Sequence, residues 1–116
     1  MAHILSVSYD AILLSTRQMM LESRGYTVTS AEGYVDAMRK CRAGDYDLLI
    51  VGHSIPHEDK MAIVAEMRQH CSAPVLALLK PNERQLENAD ESVDAGRPDL
   101  LIALVDKMTK EAQAAD

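Results

Sequence analysis

Short apolar runs alternate along the chain with longer segments of helical period, and this alternation constrains the fold more than any single motif. The four consecutive apolar residues Leu48–Val51 predict a strand that is buried on both faces. Further strands are predicted at ILSVS (4–8), YTVTS (26–30), PVLALL (74–79) and ESVD (91–94). Repeated strand and helix units favour right-handed crossovers, and therefore an α/β domain with a five-stranded parallel sheet and helices on both faces.

The segments between the strands have apolar residues at helical spacing, which predicts amphipathic helices. The first should span residues 10–24, and the last should begin near Pro98 and Asp99. The residues expected to face the core are Ile12, Leu13, Thr16, Met19 and Met20 in the first helix, Tyr34, Ala37, Met38 and Cys41 in the second, Ile63, Val64, Met67 and Cys71 in the third, and Leu101, Leu104, Val105 and Met108 in the last. We expect one domain over residues 1–110 and a frayed tail over 111–116.

Composition excludes several classes of partner. A chain of 116 residues is about one domain's worth, and its net charge of −6 argues against binding to nucleic acid or to anionic membrane surfaces. No apolar stretch approaches the roughly 18 residues of a membrane span, and the first residues do not resemble a signal peptide, so a cytoplasmic location is expected. Cys41 and Cys71 fall in segments predicted to be helical and have no metal-ligand spacing. In a reducing compartment, free buried thiols are favoured over a disulfide.

In an open parallel sheet, ligands bind beyond the carboxyl ends of the strands. The candidate site residues are therefore Ser8, Tyr9 and Asp10 after the first strand, Gly52 and His53 after the third, Leu79 after the fourth, and Asp94 to Arg97 after the fifth. Asp94 or Asp10 would have to meet Arg97 if that arginine points inward, because an unpaired buried charge is costly.

Four stretches, taken in order, carry a resemblance that covers nearly the whole chain. They are ILSVSYD, GYTVTSAEGYVDAM, DYDLLIVGHSIP with its loop proline Pro56, and APVLALL. Their order and spacing resemble the receiver domain of two-component response regulators. The resemblance implies a flavodoxin-like fold, a three-layer sandwich with strand order 2-1-3-4-5.

The family's chemistry uses two acids to hold Mg²⁺, an aspartate that accepts a phosphoryl group, a hydroxyl residue after the fourth strand, and a lysine before a proline after the fifth. These positions fall on Ser8 and Tyr9, Gly52, Leu79, and Arg97 before Pro98, and every one departs from the family pattern. The comparison implies a degenerate receiver in bacterial signalling that is not an enzyme. No phospho-acceptor, metal or cofactor is expected, and the domain should act through protein contacts.

Sharper interpretations compete with this one. Asp10 is expected to cap the first helix, although it could serve as an unusual phospho-acceptor or a metal ligand. The HSIPHED stretch (53–59) is expected to be a solvated loop rather than a metal site. A hydrolytic trio of Ser8, His53 and Asp94 is disfavoured because the chain has no G-x-S-x-G turn. An enzyme or small-ligand binder that uses the same crevice is the alternative function.

The connection after the fourth strand is short for a parallel crossover. The residues KPNERQLENAD (80–90) predict a fourth helix of two turns or fewer, or an irregular loop. We expect the sheet near Ala77 and Leu79 to be thinly covered. An interaction face around Leu86, Leu101 and Val105 should then bind a sensor kinase, an output protein or a second copy of the chain.

Overall fold

The computed structural model describes residues 2–114. Five strands and four helices follow one another as β1 (His3–Ser8), α1 (Ala11–Glu22), β2 (Thr27–Glu32), α2 (Gly33–Ala43), β3 (Leu48–Val51), α3 (His57–His70), β4 (Val75–Leu79), β5 (Glu91–Asp94) and α4 (Pro98–Ala114). The last helix continues through residue 114, and residues 115 and 116 of the predicted tail lie outside the described part of the chain.

The strands form one parallel sheet in the order β2-β1-β3-β4-β5, which confirms the predicted topology. Ile4 pairs with Val28 on one side and with Leu48 on the other, which places β1 and β3 at the centre. All four residues of β3 are buried, as their apolar character predicts. Strand order reverses between β1 and β3, so the carboxyl ends of these two strands flank the crevice where ligands bind in such sheets.

Two core layers lie on opposite faces of the sheet. One layer joins α2 and α3 to the sheet, and the other joins α1 and α4 to it. The first contains Leu5, Val51, Met38, Val64 and Met67, and the second contains Ile4, Ile50, Leu21, Val105 and Met108. Because both faces are covered, the predicted three-layer arrangement is confirmed.

The predicted inner face of α1 is wrong. The helix buries Leu14, Arg17 and Leu21, whereas Ile12 is 76% exposed and Met19 is 68% exposed. The buried positions are spaced by three and four residues, as on any helix face, but one of them is a charged residue. The apolar stripe chosen from the sequence therefore lies on a neighbouring face of the helix.

The connection between β4 and β5 is an irregular loop over residues 80–90, which confirms the prediction that the fourth helix is shortened or lost. It begins with a turn in which the Glu83 N–H donates to the Lys80 carbonyl at 3.0 Å. Pro81 and Asn82 occupy the central positions, and Asn82 has a φ of 66°. Proline followed by a residue with positive φ is the sequence signature of a type II turn.

This loop is held against α3 by side-chain hydrogen bonds. The Asn88 amide donates to the Met61 carbonyl at 2.9 Å, and the Arg68 Nε donates to the Asn88 carbonyl at 3.0 Å. The Asp90 carboxylate accepts from Arg68 at 2.9 Å and from the backbone N–H of Val75 at 2.7 Å. The loop is therefore tied both to α3 and to the start of β4.

The expectation of a thinly covered sheet is wrong, because Ala77 is fully buried and Leu79 is only 8% exposed. The predicted interaction face is wrong as well. Leu86 is buried in the layer of α2 and α3, while Leu101 and Val105 are buried in the layer of α1 and α4. These three residues contribute to two separate cores, so they do not form a common surface.

Cys41 and Cys71 are paired as a disulfide, with their Cα atoms 6.5 Å apart, so the expectation of free thiols is wrong. Cys41 lies in the last turn of α2, and Cys71 caps α3. The two helices pack side by side over the same face of the sheet, which brings these residues together although 30 positions separate them in the chain.

Candidate functional site

Gly52 follows β3, at the position where a receiver would carry its phospho-acceptor. It is buried, and its backbone N–H donates to the Val7 carbonyl at 2.8 Å. A Cβ atom added here would lie 3.0 Å from the Val7 oxygen, 3.1 Å from Arg17 Nη2 and 3.3 Å from Ser8 Cβ. The space beside Gly52 is therefore already filled by its neighbours.

Arg17 projects from α1 against the strand ends. It is 6% exposed, and its Nη1 donates to Ser6 Oγ at 2.9 Å. Within the described residues, no carboxylate pairs with this guanidinium. Burial lowers the pKa of Arg17 from 12.5 to about 10, which is still far above neutral pH. A positive charge with no carboxylate partner in the described part of the chain thus lies beside Gly52.

The residues after β1 form a hydroxyl-rich turn. Ser8 is fully buried, and its Oγ lies 3.0 Å from Ser54 Oγ. Asp10 caps α1, because its Oδ1 accepts from the Ile12 N–H at 2.9 Å and from the Leu13 N–H at 3.2 Å. Tyr9 is 39% exposed, and its hydroxyl donates to Asp59 at 3.1 Å. Burial and the Asp59 carboxylate raise the pKa of Tyr9.

His53 is half-buried after Gly52, and its Nδ1 is buried with no hydrogen-bond partner within the described chain. Burial lowers the pKa of His53, and the nearby charges of Arg17, Lys60 and Lys80 lower it further, while Asp10 opposes them. The imidazole is therefore biased towards its neutral form.

Asp94 and Arg97, at and after the end of β5, lie outside this crevice. Asp94 is exposed and accepts from the Gly96 N–H at 2.8 Å. Arg97 is also exposed and pairs with Asp99 at 3.1 Å, rather than with Asp10 or Asp94. Including Arg97 and Asp94 in the pocket was therefore wrong, because each finds a partner within its own turn at the surface. Leu79 lies at the end of β4 and offers only an apolar side chain.

A second charged cluster lies where the 80–90 loop meets α3. Lys60 is fully buried, and its Nζ donates to the Leu78 carbonyl at 2.8 Å and to Glu83 Oε1 at 2.7 Å. Glu83 also accepts from the Lys80 N–H at 2.9 Å and lies 2.8 Å from His57 Nδ1.

Burial and ion pairing shift the pKa values of both Glu83 and Lys60. Burial alone would raise the pKa of Glu83, but hydrogen bonds from Lys60, the Lys80 N–H and His57 lower it to about 2. Burial lowers the pKa of Lys60 by more than its ion pair with Glu83 raises it. The contact between Lys60 and Glu83 fixes the loop to the buried face of α3.

A groove opens between α1 and α4, close to the strand ends. Its volume is about 160 Å³, and its lining is mainly apolar, with Leu13, Met20 and Leu101 among its walls. Arg17 and His53 contribute the charged and polar parts of the lining. The groove and the space beside Gly52 therefore share the same arginine.

The residues at the strand ends do not fit a magnesium ion. Mg²⁺ prefers carboxylate oxygens, but the available positions carry Ser8, Tyr9 and Gly52, and Asp10 is engaged in capping. The positive charge of Arg17 beside Gly52 opposes a second cation. Across residues 2–114, no three side chains of His, Cys, Asp or Glu are grouped so that they could hold a metal ion.

None of the described helices is both long and apolar enough to cross a membrane.

Sequence reasoning missed both buried cations. Arg17 is spaced three and four residues from Leu14 and Leu21, and Lys60 precedes Ile63 and Val64 by three and four residues. Both positions therefore lie on the apolar stripes of their helices. A charged residue in phase with such a stripe is the signal that could have found them.

No model of a known protein family matches the chain. Among curated proteins, it is 25% identical over 99 residues to the transcriptional regulatory protein ResD of Bacillus subtilis and equally to protein PetR of Rhodobacter capsulatus. The matches cover 85% of this chain but only 40% and 41% of those proteins. The chain therefore spans well under half the length of these relatives.

Solved structures agree with these matches. The response regulator TrrA of Thermotoga maritima, solved with Mg²⁺ and BeF, superposes with a TM-score of 0.81 at 25% identity, covering 93% of this chain and 99% of that chain. A CheY-like receiver domain of Methanospirillum hungatei gives a TM-score of 0.86 at 17% identity, covering 100% and 99%, and so supports the fold alone. The predicted resemblance is confirmed: the chain is similar in sequence and in fold to receiver domains of two-component response regulators.

Proposed function

We propose that this chain is a degenerate receiver module of bacterial two-component signalling that acts through protein contacts without phosphorylation. The observation that carries the proposal is the pairing of Gly52 with the buried guanidinium of Arg17. The acceptor position has no side chain, and the adjoining space holds a permanent cation. We also infer that the module is not an enzyme and works in the cytoplasm.

Phosphoryl transfer to a receiver needs a nucleophile and a way to neutralise the charge that develops on the phosphoryl oxygens. Gly52 supplies no nucleophile, and the carboxylate of Asp10, which follows β1, is engaged in capping α1. Arg17 is held by a hydrogen bond to Ser6 Oγ, and it keeps its positive charge at neutral pH. This charge occupies the place where a receiver would bind a divalent cation and a phosphoryl group.

Incubation with acetyl phosphate followed by intact-mass measurement tests this proposal. We expect no phosphoryl adduct, with or without Mg²⁺, while an ordinary receiver treated in parallel becomes phosphorylated. A stoichiometric adduct that disappears in Asp10→Asn would overturn the proposal and identify Asp10 as an unusual acceptor. The capping role of Asp10 argues against that outcome, because modifying its carboxylate would disturb the two N–H contacts that Oδ1 accepts.

Exposed apolar residues on α1 support a role in protein contacts. Ile12 and Met19 are seven positions apart, which places them on one face of the helix, and both are largely exposed. In one solved structure, the similar protein TrrA is in complex with the histidine kinase ThkA. A sensor kinase or output protein is therefore the partner we propose, and homodimerisation is the second possibility.

A matched set of α1 variants tests this surface. A partner retained from lysate of the source organism by the wild type should be lost from Ile12→Glu and from Met19→Glu. The control is Ala65→Glu, because Ala65 is also exposed on a helix and receives the same charge, but its helix α3 lies on the other face of the sheet. Equal retention by all three variants would exclude this face, and sedimentation of the same variants would show whether a second copy uses it.

A further inference from the structure

We propose that the groove between α1 and α4 binds a small monocarboxylate with a short apolar tail, with Arg17 as the group that pairs with the carboxylate. This inference goes beyond signalling through protein contacts and does not depend on it. It rests on an unpaired buried cation, on an apolar groove that this cation lines, and on the absence of acidic residues from the lining.

Arg17 is a buried cation with few acceptors around it. A guanidinium offers five N–H donors, and the described neighbours supply one side-chain acceptor, Ser6 Oγ. A buried cation is normally compensated by an anion, because desolvation is costly and unpaired charges are rarely tolerated. Desolvation is the sole cause that lowers the pKa of Arg17, which agrees with the lack of a counterion among the described residues.

The walls of the groove combine apolar side chains with two polar groups. Leu13, Met20, Leu78 and Leu101 supply apolar side chains on several sides, and Arg17 and His53 supply polar groups. His53 Nδ1 is buried without a partner, so a second unsatisfied group lies in a residue of the same lining. Apolar walls with a few polar groups are characteristic of small-molecule sites.

The size and charge of the groove narrow the ligand class. Its volume of about 160 Å³ is below the roughly 300–1,000 Å³ of sites for drug-sized ligands, which favours a short-chain acid over a nucleotide. A planar carboxylate matches the fork of a guanidinium, and the apolar walls favour a short hydrocarbon tail over a bare inorganic anion. Butyrate is therefore the probe of choice.

Calorimetric and NMR titrations test the inference on the intact chain. Butyrate should bind at millimolar concentration or tighter, and it should shift the amide signals of Leu13, His53 and Ala95. Butyramide has the same shape without the charge, and acetate and inorganic phosphate lack the tail. We expect butyramide to bind about tenfold more weakly, since the loss of one charged hydrogen bond accounts for that factor. Acetate and phosphate keep the charge, but they should also bind about tenfold more weakly, because the buried CH₂ groups of the butyrate tail account for a similar factor.

Two variants test the charge of Arg17 and the space in the groove separately. Arg17→Met should reduce butyrate affinity at least about tenfold, while Arg84→Met, the same change at an exposed arginine, should leave it unchanged. Ala95→Leu keeps the charge but fills the groove, and it should also abolish binding. The amide spectrum of each variant without ligand shows whether it folds.

Equal binding of butyrate and butyramide to the wild type would overturn the inference without any variant. It would also be overturned by the absence of butyrate binding, or by signal shifts confined to another surface. A phosphoryl adduct in the acetyl phosphate experiment would overturn the proposed function while leaving this result unaffected. The two proposals can therefore fail separately.

Discussion

Replacing Glu83 by glutamine should cause a large loss of stability, because it removes the counterion of a fully buried lysine. In the wild type, Lys60 Nζ contacts only the Leu78 carbonyl and Glu83 among the described residues. Breaking a buried ion pair on one side typically costs about 3–5 kcal/mol, since the remaining charge is uncompensated. The glutamine oxygen can still accept one hydrogen bond, so we expect the lower end, about 3 kcal/mol.

Urea unfolding followed by circular dichroism measures this cost. A loss of about 3 kcal/mol is a large share of the 5–15 kcal/mol that stabilises a typical domain, and it should lower Tm by roughly 10 °C or more. The control is Asp99→Asn, which removes one side of the exposed pair with Arg97 and should have a far smaller effect.

A double-mutant cycle separates the ion pair from other losses at Glu83. Lys60→Met removes the buried cation, so Lys60→Met combined with Glu83→Gln should cost less than the sum of the two single changes, by roughly 2 kcal/mol. A Glu83→Gln variant that unfolds within about 1 kcal/mol of the wild type would refute the reasoning. So would strict additivity in the cycle, because it would mean that the two groups do not interact.

Three further predictions concern the disulfide, Gly52 and the acid titration of Glu83. Cys41→Ser should destabilise the domain by roughly 3–4 kcal/mol, and reducing the wild type should reproduce that loss, because the disulfide closes a loop with a sequence separation of 30. Gly52→Ala should cost about 1–3 kcal/mol in urea unfolding, because its Cβ would lie 3.0 Å from the Val7 oxygen; an unchanged midpoint would contradict this. The pKa of Glu83 is lowered from 4.5 to about 2, so the stability that it supplies should be full above pH 4.5 and be lost as the pH falls towards 2; Glu83→Gln should lack this part of the acid transition.

The arrangement of the sheet could be predicted because it depends on features that repeat along the chain. The apolar runs and the intervening helical periods define the order of elements, and the resemblance supplies the strand order. The shortened connection was also predictable, since residues 80–90 hold a single strongly apolar residue, Leu86, and several turn formers. The capping role of Asp10 followed from its residue type and its place before α1.

The charged interior could not be predicted by the same reasoning. The apolar residues of α1 predict that the face with Ile12 and Met19 is buried, because arginine side chains are rarely buried. Whether Arg17 and Lys60 are buried depends on contacts with Ser6 and Glu83, which are distant in sequence or lie in an irregular loop. The same limit applies to Leu86, whose burial depends on how that loop is fixed to α3.

β5 is an outer strand of the sheet, and its length and charge bear on self-association. This strand is only four residues long, and it begins with Glu91 and ends with Asp94. A second sheet that paired with this edge would find few free backbone groups, and two copies meeting there would bring acidic side chains together. Short length and like charge thus protect the domain from edge-to-edge aggregation, and they direct any assembly of two copies towards its helical faces.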